Sequence, residues 1–155
     1  MIFRNIYNKQ FTLKQAAREI KDYIKADQDK VYNFVIGTDS VSHHNKTIFV
    51  TAMIIHRIGK GARFFYTRRR TNYAMDIYSR LLQETYDSIK VMKEIEKTEI
   101  LYSINNFSIH IDVGNNGKSR QVLHDCINYV KGFGYDCKVK PEAFVASNVA
   151  DRFTK

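Results

Sequence analysis

Three aspartates occupy positions where a carboxylate could take part in chemistry. Asp39 follows the apolar segment VYNFVIGT, Asp112 follows the segment FSIHI, and Asp151 lies in the C-terminal segment. Because ligands of open α/β sheets bind beyond the carboxyl ends of the strands, two adjacent strands could bring Asp39 and Asp112 together. Each aspartate taken alone is also typical of a turn or a helix cap, since Asp is frequent where strands end.

Carboxylates gathered in one place repel one another, so a cluster of them requires a cation or a proton. A hard divalent cation with oxygen ligands satisfies such a cluster. Mg²⁺ is the expected ion, and Mn²⁺ is the expected substitute. Two such ions about 3.5–4 Å apart can hold the attacking and leaving oxygens of a phosphodiester during hydrolysis. The pattern therefore indicates metal-assisted chemistry on phosphate esters.

The composition favours a polyanionic partner. The chain has 155 residues, and 25 Lys and Arg against 16 Asp and Glu give it a net charge of +9. A positive field on a small domain favours nucleic acid. A hydrophobic fraction of 44% is enough for a packed core and argues against disorder of the whole chain. No segment has the roughly 18 apolar residues of a membrane helix, so we expect a cytoplasmic protein without a membrane partner.

The hydrophobic pattern predicts one α/β domain over residues 1–155. Thr12 and Gln15 form a capping box that opens an N-terminal helix, so residues 1–30 are expected to be a helical extension. Three strands then form an antiparallel meander, and a long helix from about Tyr73 to Glu96 leads into alternating strands and helices. Strands are predicted at 31–38, 47–58, 62–69, 107–113 and 135–140, and a last short helix carries Asp151. This order matches a ribonuclease H-like fold, with a five-stranded mixed sheet flanked by helices.

Three segments of the chain carry a family resemblance. The segments IGTDS, HIDVGNNGKSR and KPEAFVASNVADRFTK resemble the ribonuclease-H-like YkuK family of small bacterial proteins. The resemblance covers about residues 32–155, and the last segment is its most specific part. It implies a ribonuclease H fold in which Asp39, Asp112 and Asp151 are the matching acidic positions.

The resemblance also implies a fourth carboxylate on the first long helix, and two residues are candidates. Glu84 lies in the family-like stretch RLLQETYDS, three residues after Leu81 and near the sheet-facing side of the helix. Asp76 lies in TNYAMDI, which resembles the beginning of that helix in ribonuclease H enzymes. The two are about 12 Å apart along the helix axis, so they cannot both serve one pair of metal ions. We favour Glu84 and keep Asp76 as the alternative.

Basic residues cluster at two places. Arg68, Arg69 and Arg70 end the third predicted strand, and Lys118 and Arg120 begin the helix that follows Asp112. Arginines can follow a phosphate backbone, and the N–H groups at a helix start can hold a phosphate. The alternative for the arginines is a solvated strand end without a ligand.

These observations predict a divalent-metal-dependent nuclease acting on RNA, DNA or a hybrid. Asp39 would bridge two ions, Asp112 would hold one, and Asp151 with Glu84 or Asp76 would complete the ligand set. The alternative is a non-catalytic module that keeps the ribonuclease H fold and binds nucleic acid. The choice between Glu84 and Asp76 leaves this alternative open, and one sequence does not indicate the oligomeric state.

Overall fold

A computed structural model of the chain describes residues 1–113, 119–143 and 151–154, with the backbone alone for Asp151. This part of the chain contains seven strands and four α-helices, and a 3₁₀ turn spans Ile100–Ser103. The elements are β1 (Ile2–Arg4), β2 (Gln10–Thr12), α1 (Leu13–Lys25), β3 (Tyr32–His43), β4 (Lys46–Arg57), β5 (Ala62–Thr71), α2 (Ile77–Glu96), β6 (Asn106–Ile111), α3 (Arg120–Gly132), β7 (Asp136–Val139) and α4 (Asp151–Thr154). The strands form one mixed sheet in the order β2-β1-β5-β4-β3-β6-β7.

The N-terminal segment differs from its prediction. The expected five-stranded sheet is wrong in strand number, because β1 and β2 form an antiparallel hairpin that joins the sheet where Arg4 pairs with Tyr66. Each of these strands has three residues, which is too short for a visible alternation of apolar and polar residues. The predicted helix is present as α1. Its capping box is confirmed, since Thr12 and Gln15 each accept a hydrogen bond from the backbone N–H of the other.

The strand that carries Asp39 is longer than predicted. β3 continues to His43 because it pairs with β4 up to a tight turn, where His44 has a φ of 46°. The expectation that Asp39 follows the end of its strand is therefore wrong. The parallel ladder between β3 and β6 ends nearby, since it runs from Asn33 to Gly37.

The two faces of the sheet are packed differently. Helices α1, α2 and α3 cover one face, called the α2 face below, over a core that includes Ile36 and Met53. Helix α4 packs on the opposite face, called the α4 face, where Phe153 stacks on Tyr66 with 3.8 Å between ring centroids. Because side chains alternate along a strand, Asp39, three residues after Ile36, lies on the α4 face.

Buried hydroxyl groups hold α2 against the sheet. The Oγ1 atom of Thr38 lies 2.9 Å from Oγ1 of Thr51 on β4 and 2.8 Å from Oγ of Ser88 on α2. These contacts fix the part of α2 that carries Glu84, one turn before Ser88. No helix of the described residues combines the length and the apolar character needed to cross a bilayer.

Candidate functional site

Asp39 and Asp112 lie just beyond the end of the parallel ladder between β3 and β6. The last pair of that ladder is Gly37 with His110, and each aspartate is two residues further along the chain. The charges of both aspartates act on the buried carboxyl group of Glu84, so the two lie in one region. This region is at the carboxyl end of β6, where open α/β sheets bind ligands.

A lysine neutralises Asp112. The Nζ atom of Lys140 lies 2.5 Å from Oδ1 of Asp112, whose side chain is 15% exposed. The register of β6 and β7 brings the lysine there, since Val139 pairs with Ile111 and Lys140 follows it. The ammonium group thus contacts an oxygen that a metal ion would also use.

Glu84 is a buried carboxyl group on the α2 face, close enough to Asp39 and Asp112 for their charges to act on it. Its side chain is 7% exposed, and Oε1 accepts a hydrogen bond of 2.5 Å from Oγ of Ser40. Burial is the main cause that raises the pKa of Glu84 to about 8. The hydrogen bond from Ser40 and the charge of Arg80 oppose this rise, whereas the charges of Asp39 and Asp112 add to it. Glu84 therefore holds a proton at neutral pH while no cation neutralises the aspartates.

Arg80 connects α2 to the strand that carries Asp39. It lies one turn before Glu84, and its Nη1 atom donates a hydrogen bond of 2.8 Å to the carbonyl oxygen of Ser40. Its Nε atom is buried and has no hydrogen-bond partner within the described ranges. Arg80 thus supplies positive charge near Glu84.

Asp76 has a different role from Glu84. It is the N-cap of α2, where Oδ1 accepts from the N–H of Ser79 at 3.0 Å and Oδ2 accepts from the Ser79 hydroxyl at 2.7 Å. These hydrogen bonds lower the pKa of Asp76. The helix accordingly begins at Ile77, and its predicted start at Tyr73 is four residues too early. Asp76 and Glu84 remain about 12 Å apart along the axis.

The helix that carries Asp151 packs on the same face of the sheet as Asp39. Helix α4 contacts β3 and β4, and Phe153 holds it against Tyr66 and Phe64. The side chain of Asp151 lies outside the described part of the structure. Its backbone belongs to a helix on the face where Asp39 lies.

The carboxylates with described side chains do not form a complete metal site by themselves. Among residues 1–113, 119–143 and 152–154, no three His, Cys, Asp or Glu side chains are grouped closely enough to hold a metal ion. The oxygen donors of Asp39 and Asp112 nevertheless have the chemistry that a hard cation prefers. The negative charges of both aspartates also raise the pKa of Glu84. A cation placed between the aspartates would reduce this electrostatic repulsion.

The three consecutive arginines of β5 divide between the two faces. Arg69 lies on the α2 face, where Nη2 and Nε contact Oδ2 of Asp87 at 2.7 and 2.8 Å. Its guanidinium also lies 4.1 Å from the ring centroid of Phe49. Arg68 and Arg70 are exposed on the α4 face, as the alternation of side chains requires. Arg69, although 43% exposed, therefore joins β5 to α2, whereas Arg68 and Arg70 form no ion pair within the described residues.

The second predicted basic cluster is described in part. Arg120 is the first residue of α3 and is exposed, whereas Lys118 lies outside the described residues. The sequence analysis missed Ser40 and Arg80 and left Lys140 unplaced. Arg80 could have been found, since it lies four residues before Glu84 on one helix face. Lys140 required the register of β7, which the sequence does not give.

A model of the family described as Ribonuclease H-like matches residues 15–155. The chain belongs to the ribonuclease H-like family. The family resemblance recognised in the sequence is thereby confirmed. The ribonuclease H-like match begins inside α1 and covers every carboxylate described above.

This ribonuclease H-like chain is also similar to a bacterial relative along its whole length. The uncharacterized protein YkuK of Bacillus subtilis (strain 168) is 28% identical over 170 aligned residues, covering 99% of this chain and 97% of the relative. Because the relative is itself uncharacterized, the function of this chain has to be argued from its own residues.

Glu84 should couple the stability of the metal-free protein to pH. Its pKa is about 8 in the folded protein and near 4.5 in an unfolded chain, so the folded state binds the extra proton between these values. The extra proton on Glu84 therefore contributes fully to the free energy of unfolding below pH 4.5, and this contribution is lost as the pH rises through 8. In EDTA, Glu84→Gln should therefore unfold at nearly the wild-type temperature at pH 5 and at a higher temperature than wild type at pH 9.

Thermal unfolding followed by circular dichroism measures this difference. Glu19→Gln, which changes an exposed glutamate on α1, is the matched control and should follow the wild type at both pH values. A constant difference between Glu84→Gln and wild type across the pH range would contradict the raised pKa.

The arginines of β5 should differ in their effect on stability. Arg69→Gln leaves the nearly buried carboxylate of Asp87 without its cation and should lower the free energy of unfolding by about 1–2 kcal/mol. Arg68→Gln and Arg70→Gln should each change it by less than about 0.5 kcal/mol, because both side chains are exposed. Urea unfolding of the three variants tests this, and equal effects at all three positions would overturn the assignment of faces.

Proposed function

We propose that this ribonuclease H-like chain is a divalent-metal-dependent nuclease that hydrolyses phosphodiester bonds of RNA, DNA or a hybrid. The position of Asp39 and Asp112, each two residues beyond the last pair of the parallel ladder between β3 and β6, carries this proposal. Both aspartates lie in a chain of net charge +9, which favours a polyanionic substrate. When bound, Mg²⁺ or Mn²⁺ supplies a Lewis acid that lowers the pKa of a water molecule and stabilises charge on phosphoryl oxygens.

Four carboxyl groups would hold the cations. Asp39 and Asp112 would be the primary ligands, because each lies two residues beyond the last pair of β3 and β6. Glu84 would contribute a further carboxylate once the negative charge of the aspartates is neutralised. Asp151 would be the remaining ligand, a role supported by the packing of its helix on the α4 face.

Lys140 has two states in this proposal. In the metal-free protein its ammonium group neutralises Asp112. Once a cation takes over that role, the half-exposed lysine can hold a non-bridging oxygen of the substrate phosphate. The same side chain thus stabilises the empty site and positions the substrate in the loaded one.

A non-catalytic nucleic-acid-binding module is the second candidate. The ion pair between Lys140 and Asp112 favours it, because this pair satisfies an aspartate without any metal ion. The two candidates share the basic surface and differ in whether Asp39 and Asp112 act on a phosphodiester bond.

A cleavage assay separates the two candidates. The wild type, with Mg²⁺ or Mn²⁺, should cleave at least one of four labelled substrates: single strands, duplexes, hybrids or branched junctions. Asp39→Asn and Asp112→Asn should each lower cleavage by about 100-fold or more, because an amide is a weaker ligand than a carboxylate. Gel electrophoresis of the products identifies both the substrate and the position of the cut.

Two controls make this assay decisive. Asp29→Asn makes the same chemical change at an exposed aspartate outside the site and should cleave like the wild type. Circular dichroism should show that all variants are folded. Equal cleavage by wild type and Asp39→Asn would point to a contaminant or another site, and binding without cleavage of any substrate would support the second candidate.

A further inference from the structure

A basic cleft has a volume of about 650 Å³ and opens between the N-terminal hairpin, β5 and α4. Five arginines from three separate parts of the chain line it: Arg4, Arg68, Arg69, Arg70 and Arg152. The sequence analysis identified the three on β5, and the hairpin and α4 add the others.

All five arginines are exposed, and the four other than Arg69 have no acidic partner in the described part of the chain. The ion pairs there join other residues, including Arg69 and Asp87 on the opposite face. Four positive charges around one cleft repel each other, and a bound polyanion relieves that repulsion. The cleft is therefore suited to an anionic ligand with several charges.

The register of the sheet connects this cleft to the aspartates. Asp39 pairs with Val50 on β4, and Val50 pairs with Arg68 on β5. Since neighbouring strands are about 4.8 Å apart, the backbone of Arg68 lies about 10 Å from that of Asp39, and both side chains are on the α4 face. A ligand bound at Arg68 is therefore two strands away from Asp39 on the same face of the sheet.

We propose that this cleft binds the phosphate backbone of a polynucleotide strand whose cleaved bond lies at Asp39 and Asp112. The inference rests on the proposed function, because it assigns the path of the substrate that the aspartates would cut. A polymer fits better than a single phosphate, since four guanidinium groups can contact successive phosphates and release several counterions.

The contacts in the cleft are directed at phosphates and not at bases. Tyr66 is 7% exposed because it stacks against Phe153, so neither ring is free to stack on a nucleobase over its full face. Arginine contacts to phosphate position a strand without reading its sequence. Binding should therefore depend strongly on salt and little on sequence.

Fluorescence anisotropy with a labelled single-stranded oligonucleotide in EDTA tests the cleft without any cleavage. Arg68→Gln/Arg70→Gln should weaken binding by about tenfold and reduce the slope of log affinity against log salt by about 1.4, which corresponds to two lost phosphate contacts. Arg4→Gln/Arg152→Gln should do the same. The matched control, Arg18→Gln/Lys21→Gln, removes two exposed charges from α1 on the α2 face and should bind like the wild type.

Each other outcome overturns the proposal. Equal weakening by the control pair would mean that net charge alone determines binding. Competition by inorganic phosphate or a mononucleotide at the concentration at which unlabelled oligonucleotide competes would indicate a site for small anions. Absence of wild-type binding would also exclude the cleft. Because these measurements contain no metal, they are independent of whether Asp39 and Asp112 support cleavage.

Discussion

Carboxylates close to one another repel, and the residues around Asp39 and Asp112 compensate for that repulsion. Each of these aspartates lies two residues beyond the last pair of β3 and β6, and the charges of both act on Glu84. In the metal-free state, Lys140 neutralises Asp112, and a proton on Glu84 prevents a third negative charge from developing beside them. Both interactions limit the negative charge around the two aspartates.

Because side chains alternate along β5, its three consecutive arginines do not all lie on the same face of the sheet. Arg69 points to the α2 face and is tied to Asp87 on α2. Arg68 and Arg70 point to the α4 face, where α4 and the aspartates also lie. A cluster of three adjacent arginines thus contains one residue that supports the fold and two that are available to a ligand. The same alternation places Ser40 beside Glu84 and its neighbour Asp39 on the opposite face.

Much of the fold follows from local sequence patterns. The capping box at Thr12, the apolar strands and the amphipathic helices are local signals, and the corresponding elements occur close to their predicted positions. The hairpin β1–β2 could not be predicted, because two strands of three residues carry no periodic signal. The end of β3 was placed too early because the apolar run stops at Asp39, whereas pairing with β4 continues to His43.

The candidate site depends on contacts between residues that are far apart in the sequence. The adjacency of Asp39 and Asp112 could be expected from strand order, since a parallel pair aligns its carboxyl ends. The contact of Lys140 with Asp112 could not, because it depends on the register of β7 against β6. The preference for Glu84 over Asp76 rested on helix periodicity. In the structure Glu84 is buried beside Ser40, and Asp76 caps α2 through Ser79.

Anomalous scattering from crystals grown with Mn²⁺ tests the central claim most directly, because it locates the ion without requiring a substrate. The account predicts an anomalous peak within coordination distance of carboxylate oxygens of both Asp39 and Asp112, with Nζ of Lys140 displaced from Asp112. The peak should be absent from crystals of Asp39→Asn grown under the same conditions. No peak at these aspartates in the wild type, with the Lys140–Asp112 ion pair intact, would contradict the claim that this pair of carboxylates is a metal centre.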